Sequence, residues 1–239
     1  MDFGINLNSG TTEPKFDLPT DFRFDHIRIT TDRTDRIFEV QNVTSEFVIF
    51  EHIDKPFLTA KLVIVDIDPQ VNLVDQIHFL GTEKVEVKIR TQSSEDFTIT
   101  KNFVVTEVVI SEKSGDGNEV IILDLIEDVA YHSALMRLSK SYTDNKLMII
   151  GKLCQVVERE VFITPGTEEK INGDKQTKVI IPNMHPLEAA NWIKDRTYTS
   201  DGFPFFFYSC ISDDRLRLRD LRECLEEPAL NNSQIPYSN

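Results

Sequence analysis

The sequence has few cysteines, a single tryptophan, a shortage of basic side chains and no long apolar run. Among its 239 residues are three cysteines and one tryptophan, and 26 Lys and Arg stand against 40 Asp and Glu, for a net charge of −14. No window approaches the roughly 20 consecutive apolar residues that span a bilayer, and the first residues lack the basic and apolar regions of a signal peptide. Because affinity for nucleic acids depends on cations that neutralise phosphates, nucleic-acid binding and membrane insertion are both disfavoured.

Cys154, Cys210 and Cys224 are odd in number and widely spaced along the chain. This spacing fits neither a disulfide framework nor a CxxC metal site, and it agrees with a reducing compartment. Cys154 falls at an apolar helical position and Cys210 at the end of an aromatic strand. We therefore expect the cysteines to be small, buried hydrophobic residues.

The abundant residues indicate a fold that is mainly β with α (α+β). An apolar fraction of 40% with 16 Phe supplies a sizeable core. Residues 1–21 are rich in Gly, Asn, Thr and Pro without a period, and they are predicted to be a flexible arm. Residues 22–127 show the texture of seven or so antiparallel strands. Since a sandwich or a barrel hides the edges of so many strands, we expect one of these in the first domain.

One helix interrupts these strands, and its start, end and apolar face all agree. It is predicted over residues 69–80, with Asp68 as its cap, Pro69 at its first position and Gly81 just past its end. The expected apolar face consists of Leu73, Val74, Ile77 and Leu80.

Helical patterns predominate in residues 128–200, which are predicted to form an α-rich domain. Three helices are predicted there, over 128–139, over 145–158 after a cap at Asp144, and over 186–196 after His185. A polar loop and a short extended piece at 179–182 separate the second helix from the third.

Residues 201–239 are predicted to start a second β domain. An aromatic strand at 203–208 and an arginine-bearing strand at 215–219 form the expected hairpin. Two strands alone are marginal in water. We therefore expect either that a partner chain covers this hairpin, or that residues following Asn239 do so and the second β domain is truncated here.

Motifs that carry catalytic or binding chemistry are absent from the sequence. The five histidines are scattered, no GxSxG, GxGxxG or GxxxxGKS motif occurs, and Gly115-Asp116-Gly117 is an isolated turn. Asp66 and Asp68 have the spacing of cation ligands, but no glycine or distant Glu completes a calcium loop. With 40 acidic residues, chance pairs of carboxylates are expected. We predict no catalytic, cofactor-binding or metal-binding residue.

Two surface patterns each have two interpretations. Arg215, Arg217 and Arg219 lie on one side of their strand, where a phosphate or carboxylate partner would use them, although a charged edge strand is favoured. The aromatic residues at 203–208 would stack on a sugar or a base, although a strand buried on both faces is favoured.

The order of these pieces resembles the baseplate hub proteins of T-even-type contractile phages. That family has a strand followed by Glu and Pro, an apolar strand ending in Asp, a short helix, and Gly-x-Glu before an alternating strand. The later helix and aromatic strand also look like the segment where the family enters its second β domain. The equivalents are residues 47–56 (with Glu51 and Pro56), 62–66, Gly81-Thr82-Glu83, 186–193 and 202–208, within a resemblance that covers about residues 22–222.

The resemblance implies a structural protein of the virion. Members carry two tail-tube-like β-barrels per chain, and they trimerise into a pseudo-sixfold ring between the sixfold tail tube and the threefold central spike. For this chain the resemblance implies a homotrimer in the tail baseplate, assembled in the host cytoplasm, with the central spike and tail tube proteins as partners. DNA would slide through the ring, and an acidic chain without basic tracts would not grip it.

Two other classes of function stay open on the sequence alone. A tail-associated glycan or peptidoglycan hydrolase would use two carboxylates, and a carbohydrate-binding β module would use the aromatic strand. Type VI secretion spikes reuse the hub architecture, and the sequence does not separate a phage hub from them. Nor does it identify the residues of a partner interface.

Overall fold

The computed structural model describes residues 22–31, 36–66, 73–91, 98–114, 118–164 and 176–226. All structural statements below refer to these residues. The predicted arm at 1–21, the cap at Asp68 and the turn at 115–117 lie outside them.

The first unit is one antiparallel sheet that curls into a half-barrel. Its strand order is β2-β1-β5-β6-β7-β4-β3, so β2 and β3 are the edge strands. The prediction of seven antiparallel strands with one helix is confirmed. The elements are β1 (Phe22–Thr30), β2 (Ile37–Glu39), β3 (Thr44–Phe50), β4 (Thr59–Asp66), α1 (Leu73–Ile77), β5 (Lys84–Thr91), β6 (Thr98–Ser114) and β7 (Asn118–Glu127).

The core of this unit lies on the concave face of the sheet. Successive side chains of a strand point to opposite faces, and every second residue of the central strands is buried, as in Val85, Val87 and Ile89 of β5. A single 3-10 turn at residues 41–43 links the two edge strands. Near it the rings of Phe24 and Phe47 meet edge to face, 5.7 Å apart, so side chains bring the two ends of the sheet together.

The predicted helix 69–80 ends earlier in the structure, at Ile77, and part of its predicted apolar face is wrong. Leu73 and Ile77 are buried in the core, but Leu80 is 63% exposed. The reason is that His78 adopts a left-handed conformation with φ of 50°, which ends the helix before Leu80. Leu80 therefore no longer shares a face with the two buried residues.

The second unit packs helices against a ribbon and a small sheet. Strands β8 and β10 form an antiparallel ribbon, and β12 is the central strand of a sheet with β11 antiparallel and β9 parallel to it. Helices α3 and α4 pack on each other. The elements are α2 (Asp128–Ala134), β8 (Leu138–Asp144), α3 (Lys146–Gln155), β9 (Val161–Ile163), β10 (Thr177–Met184), α4 (Pro186–Lys194), β11 (Phe205–Ser209), β12 (Leu216–Asp220) and α5 (Leu221–Glu226).

The three predicted helices of this unit are present, with differences at their ends. The helix predicted over 128–139 ends at Ala134, because residues from Leu138 onward pair with β10. The cap of α3 is Asn145, whose side chain accepts a hydrogen bond from the backbone N–H of Leu147 at 3.0 Å, rather than Asp144. The helix predicted over 145–158 ends at Gln155. Its predicted apolar residues are all buried, namely Leu147, Ile150, Leu153 and Cys154 within α3 and Val157 in the turn that follows.

The expectation for the cysteines is confirmed for two of the three. Cys154 and Cys210 are buried, and burial raises the pKa of the Cys154 thiol to about 12. Cys224 on α5 is only half-buried.

The hairpin of β11 and β12 differs from prediction in three respects. Its inner residues, including Phe205 and Phe207, join the core formed with α3 and α4, so the chain itself covers one face. Phe206 and Tyr208 on the other face are half-buried, so the aromatic strand is not buried on both faces. Arg217 and Arg219 lie on β12 and Arg215 directly precedes it, and β12 is a central strand rather than an edge.

Candidate assembly surface

The convex face of the curled sheet is divided into two halves with different chemistry. We call the outward side of β2, β1 and β5 the charged half. We call the outward side of β4, β7 and the last part of β6 the apolar half. Both halves lie over the same core, so the difference between them is not required by folding of the sheet.

The charged half carries a set of ion pairs between neighbouring strands. His26 Nε2 lies 2.7 Å from Glu86 Oε1, and Arg28 Nη2 lies 3.0 Å from Glu39 Oε1. At the far end Arg90 Nη2 donates to Asp25 at 3.0 Å. These pairs are partly exposed, so each is worth about 0.2–1 kcal/mol, and they make this half of the face polar.

The apolar half carries β-branched aliphatic side chains on three adjacent strands. Val63 on β4 is opposite Ile122 on β7, and Ile122 is opposite Val109 on β6. In the next row Val65 is opposite Val120. Val109 is 44% exposed and the other four are half-buried. None of the five belongs to the two cores formed by the described residues.

Carboxylates flank this apolar half. Exposed Glu46 on β3 continues the row of Val63 on one side. Exposed Glu107 on β6 is opposite Asp124, which in turn lies 3.9 Å from the ammonium of Lys61. The flanks of the apolar half are therefore more acidic than basic.

The turn between β11 and β12, residues 210–215, binds the inner face of the curled sheet. Ile211 packs against the first core, and its backbone N–H donates to Glu51 Oε1 at 2.6 Å. Lys101 Nζ donates to the carbonyl of Asp213 at 2.6 Å and to Asp214 Oδ1 at 3.0 Å. This turn thus joins the two units.

A buried ion pair supports the same junction. Lys101 and Glu127 are each 2% exposed, and Lys101 Nζ lies 3.6 Å from Glu127 Oε1. The other oxygen of Glu127 accepts from the backbone N–H of Leu58 at 2.8 Å. Sequence reasoning missed both residues. The signal was a lysine between Ile99 and Phe103, at a position where the alternation calls for an inward apolar residue.

The arginine row of β12 also serves this junction. Arg217 donates to Asp213 Oδ2 at 2.8 Å, and the backbone N–H of Arg215 donates to its other oxygen at 2.9 Å. Burial by itself would raise the pKa of Asp213, but these hydrogen bonds and the two positive charges together lower it. The guanidinium of Arg215 lies 4.8 Å from the centre of the Phe162 ring.

The residues that carry the resemblance have structural roles. Glu51 anchors the β11–β12 turn, as described above. Buried Glu83 accepts hydrogen bonds from the backbone N–H groups of Leu80, Gly81 (3.0 Å) and Thr82 (3.2 Å). Gly81 has a φ of +83°, a conformation that other residues adopt only with strain. The Gly-x-Glu pattern therefore fixes the tight turn that enters β5.

A groove of about 310 Å³ lies between the loop at 54–57, α2 and α4. At its edge a ring nitrogen of His185, Nδ1, lies 2.7 Å from the carbonyl of Met136. Glu188 accepts from the backbone N–H of His185 at 3.2 Å. Both side chains thus help to start α4.

The described part of the chain contains neither a cluster of metal-ligating side chains nor a membrane-spanning helix. There, His, Cys, Asp and Glu side chains do not gather in threes in a way that would hold a metal ion. The same residues include no helix with the length and hydropathy needed to cross a bilayer.

Similarity to known proteins is confined to solved structures. No family model and no curated protein matches the chain. The similar structures include tail proteins and a component of a secretion system. The tail protein from Neisseria meningitidis MC58 is 12% identical over 81% of this chain and 49% of its own, with a TM-score of 0.42. The prophage tail protein gp18 from Listeria monocytogenes EGD-e is 9% identical over 90% and 56%, with a TM-score of 0.48.

A third structure comes from Escherichia coli. It is the c3393 protein, described as a type VI secretion component with structural similarity to the T4 phage tail proteins gp27 and gp5. It is 10% identical over 74% of this chain and 49% of its own, with a TM-score of 0.43. The chain thus spans about half the length of these proteins. At these values the likeness concerns the fold and carries no argument about function.

Proposed function

We propose that the chain is a structural subunit of a phage-tail-type baseplate hub. Its copies form a ring that adapts the sixfold tail tube to the threefold central spike and lets DNA pass. The observation that supports this proposal is the surface of the curled sheet. The sheet has a complete core on its inner face, and yet apolar side chains remain on its outer face and on its edge strands.

The edge strands are the proposed contacts between copies. Ile37 on β2 is 61% exposed, and Phe50 on β3 is 48% exposed. Each strand has a paired neighbour on one side only within the described sheet. An exposed edge with a large apolar side chain favours pairing with another chain, and copies arranged head to tail close into a ring.

The resemblance supplies the particular role within this class of protein. Residues 47–56 and Gly81-Thr82-Glu83 carry it, and in this structure they form the junction and the turn that hold the half-barrel. The same proposal places the protein in the virion tail, assembled in the host cytoplasm, with the central spike and tail tube proteins as partners. It assigns no enzymatic activity to the chain.

The aromatic strand does not favour the carbohydrate-binding alternative. Phe205 is 3% exposed and Phe207 is fully buried, so neither ring offers a face to a sugar. Phe206 and Tyr208 lie beside the arginines of β12 and are half-buried. Packing of Phe205 and Phe207 in the core therefore explains the aromatic residues on the inner face of this strand.

The mass in solution tests the proposal. Light scattering on the purified chain is expected to give three times the 27.5 kDa of one copy. Phe50→Lys, which adds charge to an exposed edge, is expected to give single copies. The matched control is Leu225→Lys on α5, where the side chain is 71% exposed and outside the sheet.

A single-copy mass for the natural chain at all concentrations would contradict self-assembly into a ring. Equal masses for the Phe50 and Leu225 variants would contradict the role of the edge. The passage of DNA has its own test, since the purified protein should not retain duplex DNA at physiological salt. Tight retention would contradict a channel that DNA slides through.

A further inference from the structure

We propose that the apolar half of the convex face binds a different protein, whose own apolar surface is flanked by Lys or Arg. The occupant is therefore not a second copy of this chain. This interface is separate from the edge contacts proposed above, and it holds whether or not copies form a ring.

The first argument is the pattern of the strands themselves. β4 and β7 are apolar on both faces over the rows of Val63–Ile122 and Val65–Val120, with Leu62, Ile64, Ile121 and Leu123 buried on the other face. Strands of this kind are typical of sheets that are covered on both sides. A contiguous apolar patch on the surface marks a place where another molecule binds.

The second argument is the contrast with a covered part of the same face. Val104 also points to the convex face, five positions before Val109 on β6, and it is only 2% exposed. It is opposite Ile126 on β7, and α2 packs against both strands. Val104 is thus covered within the chain itself. The row of Glu107, Asp124 and Lys61 separates it from the apolar half, where Val109 is 44% exposed. Among the described residues, the chain covers the first apolar position of this face and leaves the second open.

The third argument is charge, and it favours a different protein over a second copy of this chain as the occupant. A twofold contact between two copies would bring Glu46 and Glu107 of one copy near the same acidic flanks of the other, in a chain of net charge −14. Like charges across an interface disfavour association. A partner with cations around an apolar centre would make apolar contacts with Val63, Val109 and Ile122 and pair its cations with the acidic flanks.

The charged half of a second copy is an equally poor occupant. Its guanidinium and carboxylate groups, such as Arg28 with Glu39, would have to lose water against valine and isoleucine. Removing hydrated ions from water without new partners is strongly unfavourable.

Two synthetic cyclic β-hairpin peptides serve as probes. Both present Val and Ile on one face, and the flanking positions are Lys in the first and Glu in the second. Fluorescence anisotropy measures their binding to the full chain. The variant is Val109→Lys, at the most exposed of the five apolar positions. The matched control is Thr100→Lys, an exposed residue on the outward side of the same strand, opposite Lys88 on β5.

The Lys-flanked hairpin is expected to bind the natural chain about ten-fold more tightly than the Glu-flanked hairpin. Val109→Lys should weaken it about ten-fold, while Thr100→Lys should leave it unchanged. Circular dichroism checks that each variant is folded, and Val63→Thr replaces Val109→Lys if that variant fails to fold.

Three outcomes would overturn the inference. Neither hairpin binds; both bind equally; or Val109→Lys dissociates the oligomer, which would make a second copy the occupant. A Phe50→Lys variant that stays oligomeric, with hairpin binding intact, would leave this interface standing while contradicting the proposed edge contacts of the ring.

Discussion

The charged and apolar halves of the convex face lie on one sheet over one core, but their outward side chains differ in polarity. On β1 and β5 the outward positions hold arginines, lysines and acids in pairs. On β4 and β7 they hold valine and isoleucine over two rows, with the Lys61–Asp124 pair in the row beside them. A sheet needs only one apolar face to fold. The second apolar face therefore indicates a requirement outside the chain, and this is the basis for treating the protein as part of an assembly.

A buried lysine and a half-buried lysine on the two sides of this sheet give the largest expected difference in unfolding free energy. Lys101→Met leaves Glu127 without its cation in the interior and removes the donor to the β11–β12 turn, so we expect a loss of about 3–5 kcal/mol of unfolding free energy. Lys88→Met on the charged half should change it by no more than ~0.5 kcal/mol. Urea unfolding measures both. Similar losses would show that Lys101 does not join the two units.

Adjacent residues of β7 compare the core with the apolar half directly. Leu123→Ala removes a fully buried side chain and is expected to cost about 2–5 kcal/mol. Ile122→Ala, on the outward side, should cost clearly less, because that side chain is already half-exposed in the single chain. Denaturant midpoints on separately purified variants provide the measurement. An equal cost would mean that something in the chain itself already covers Ile122.

The ion pairs of the charged half should matter least to stability. Arg28→Ala removes the pair with Glu39, and the expected loss is about 0.2–1 kcal/mol at low salt. Because salt screens exposed charges, the difference from the natural chain should shrink further in concentrated NaCl. A loss that persists at high salt would indicate that Arg28 acts through packing instead.

The junction between the units has a pH dependence whose sign follows from Asp213. Its pKa is lower in the folded state than its ordinary value of 3.8. Such a carboxyl stabilises the fold above its unfolded pKa and loses that contribution as the pH falls through the folded one. The stability difference between the natural chain and Asp213→Asn should therefore be constant near neutral pH and shrink below about pH 4. A difference that grew on acidification would contradict this assignment.

The parts of the fold that were predictable are those with a local pattern. The alternation of apolar and polar residues predicts the strands of the first unit, and apolar residues at helical spacing predict α3 and its buried face. β8 was not predicted, because Ser139 and Ser141 interrupt its apolar residues and its partner strand lies more than thirty positions further on. The parallel strand β9 was too short to recognise and depends on β12 for its pairing.

The candidate surface was less predictable than the fold, for a physical reason. The sequence shows that β4 and β7 are apolar on both faces, but it does not show which parts of the chain cover them. Val104 near one end is buried, and Val109 is exposed. The Lys101–Asp214 contact and the Glu51–Ile211 contact, which join the second unit to the sheet, are both between residues distant in sequence. No local pattern specifies such pairs.

Electron microscopy of the purified protein tests the central claim most directly. The account predicts closed rings with threefold symmetry and an open centre, whose subunits meet through the edges that carry Ile37 and Phe50. Particles of a single copy, without an opening, would contradict the proposal that this chain acts by assembling.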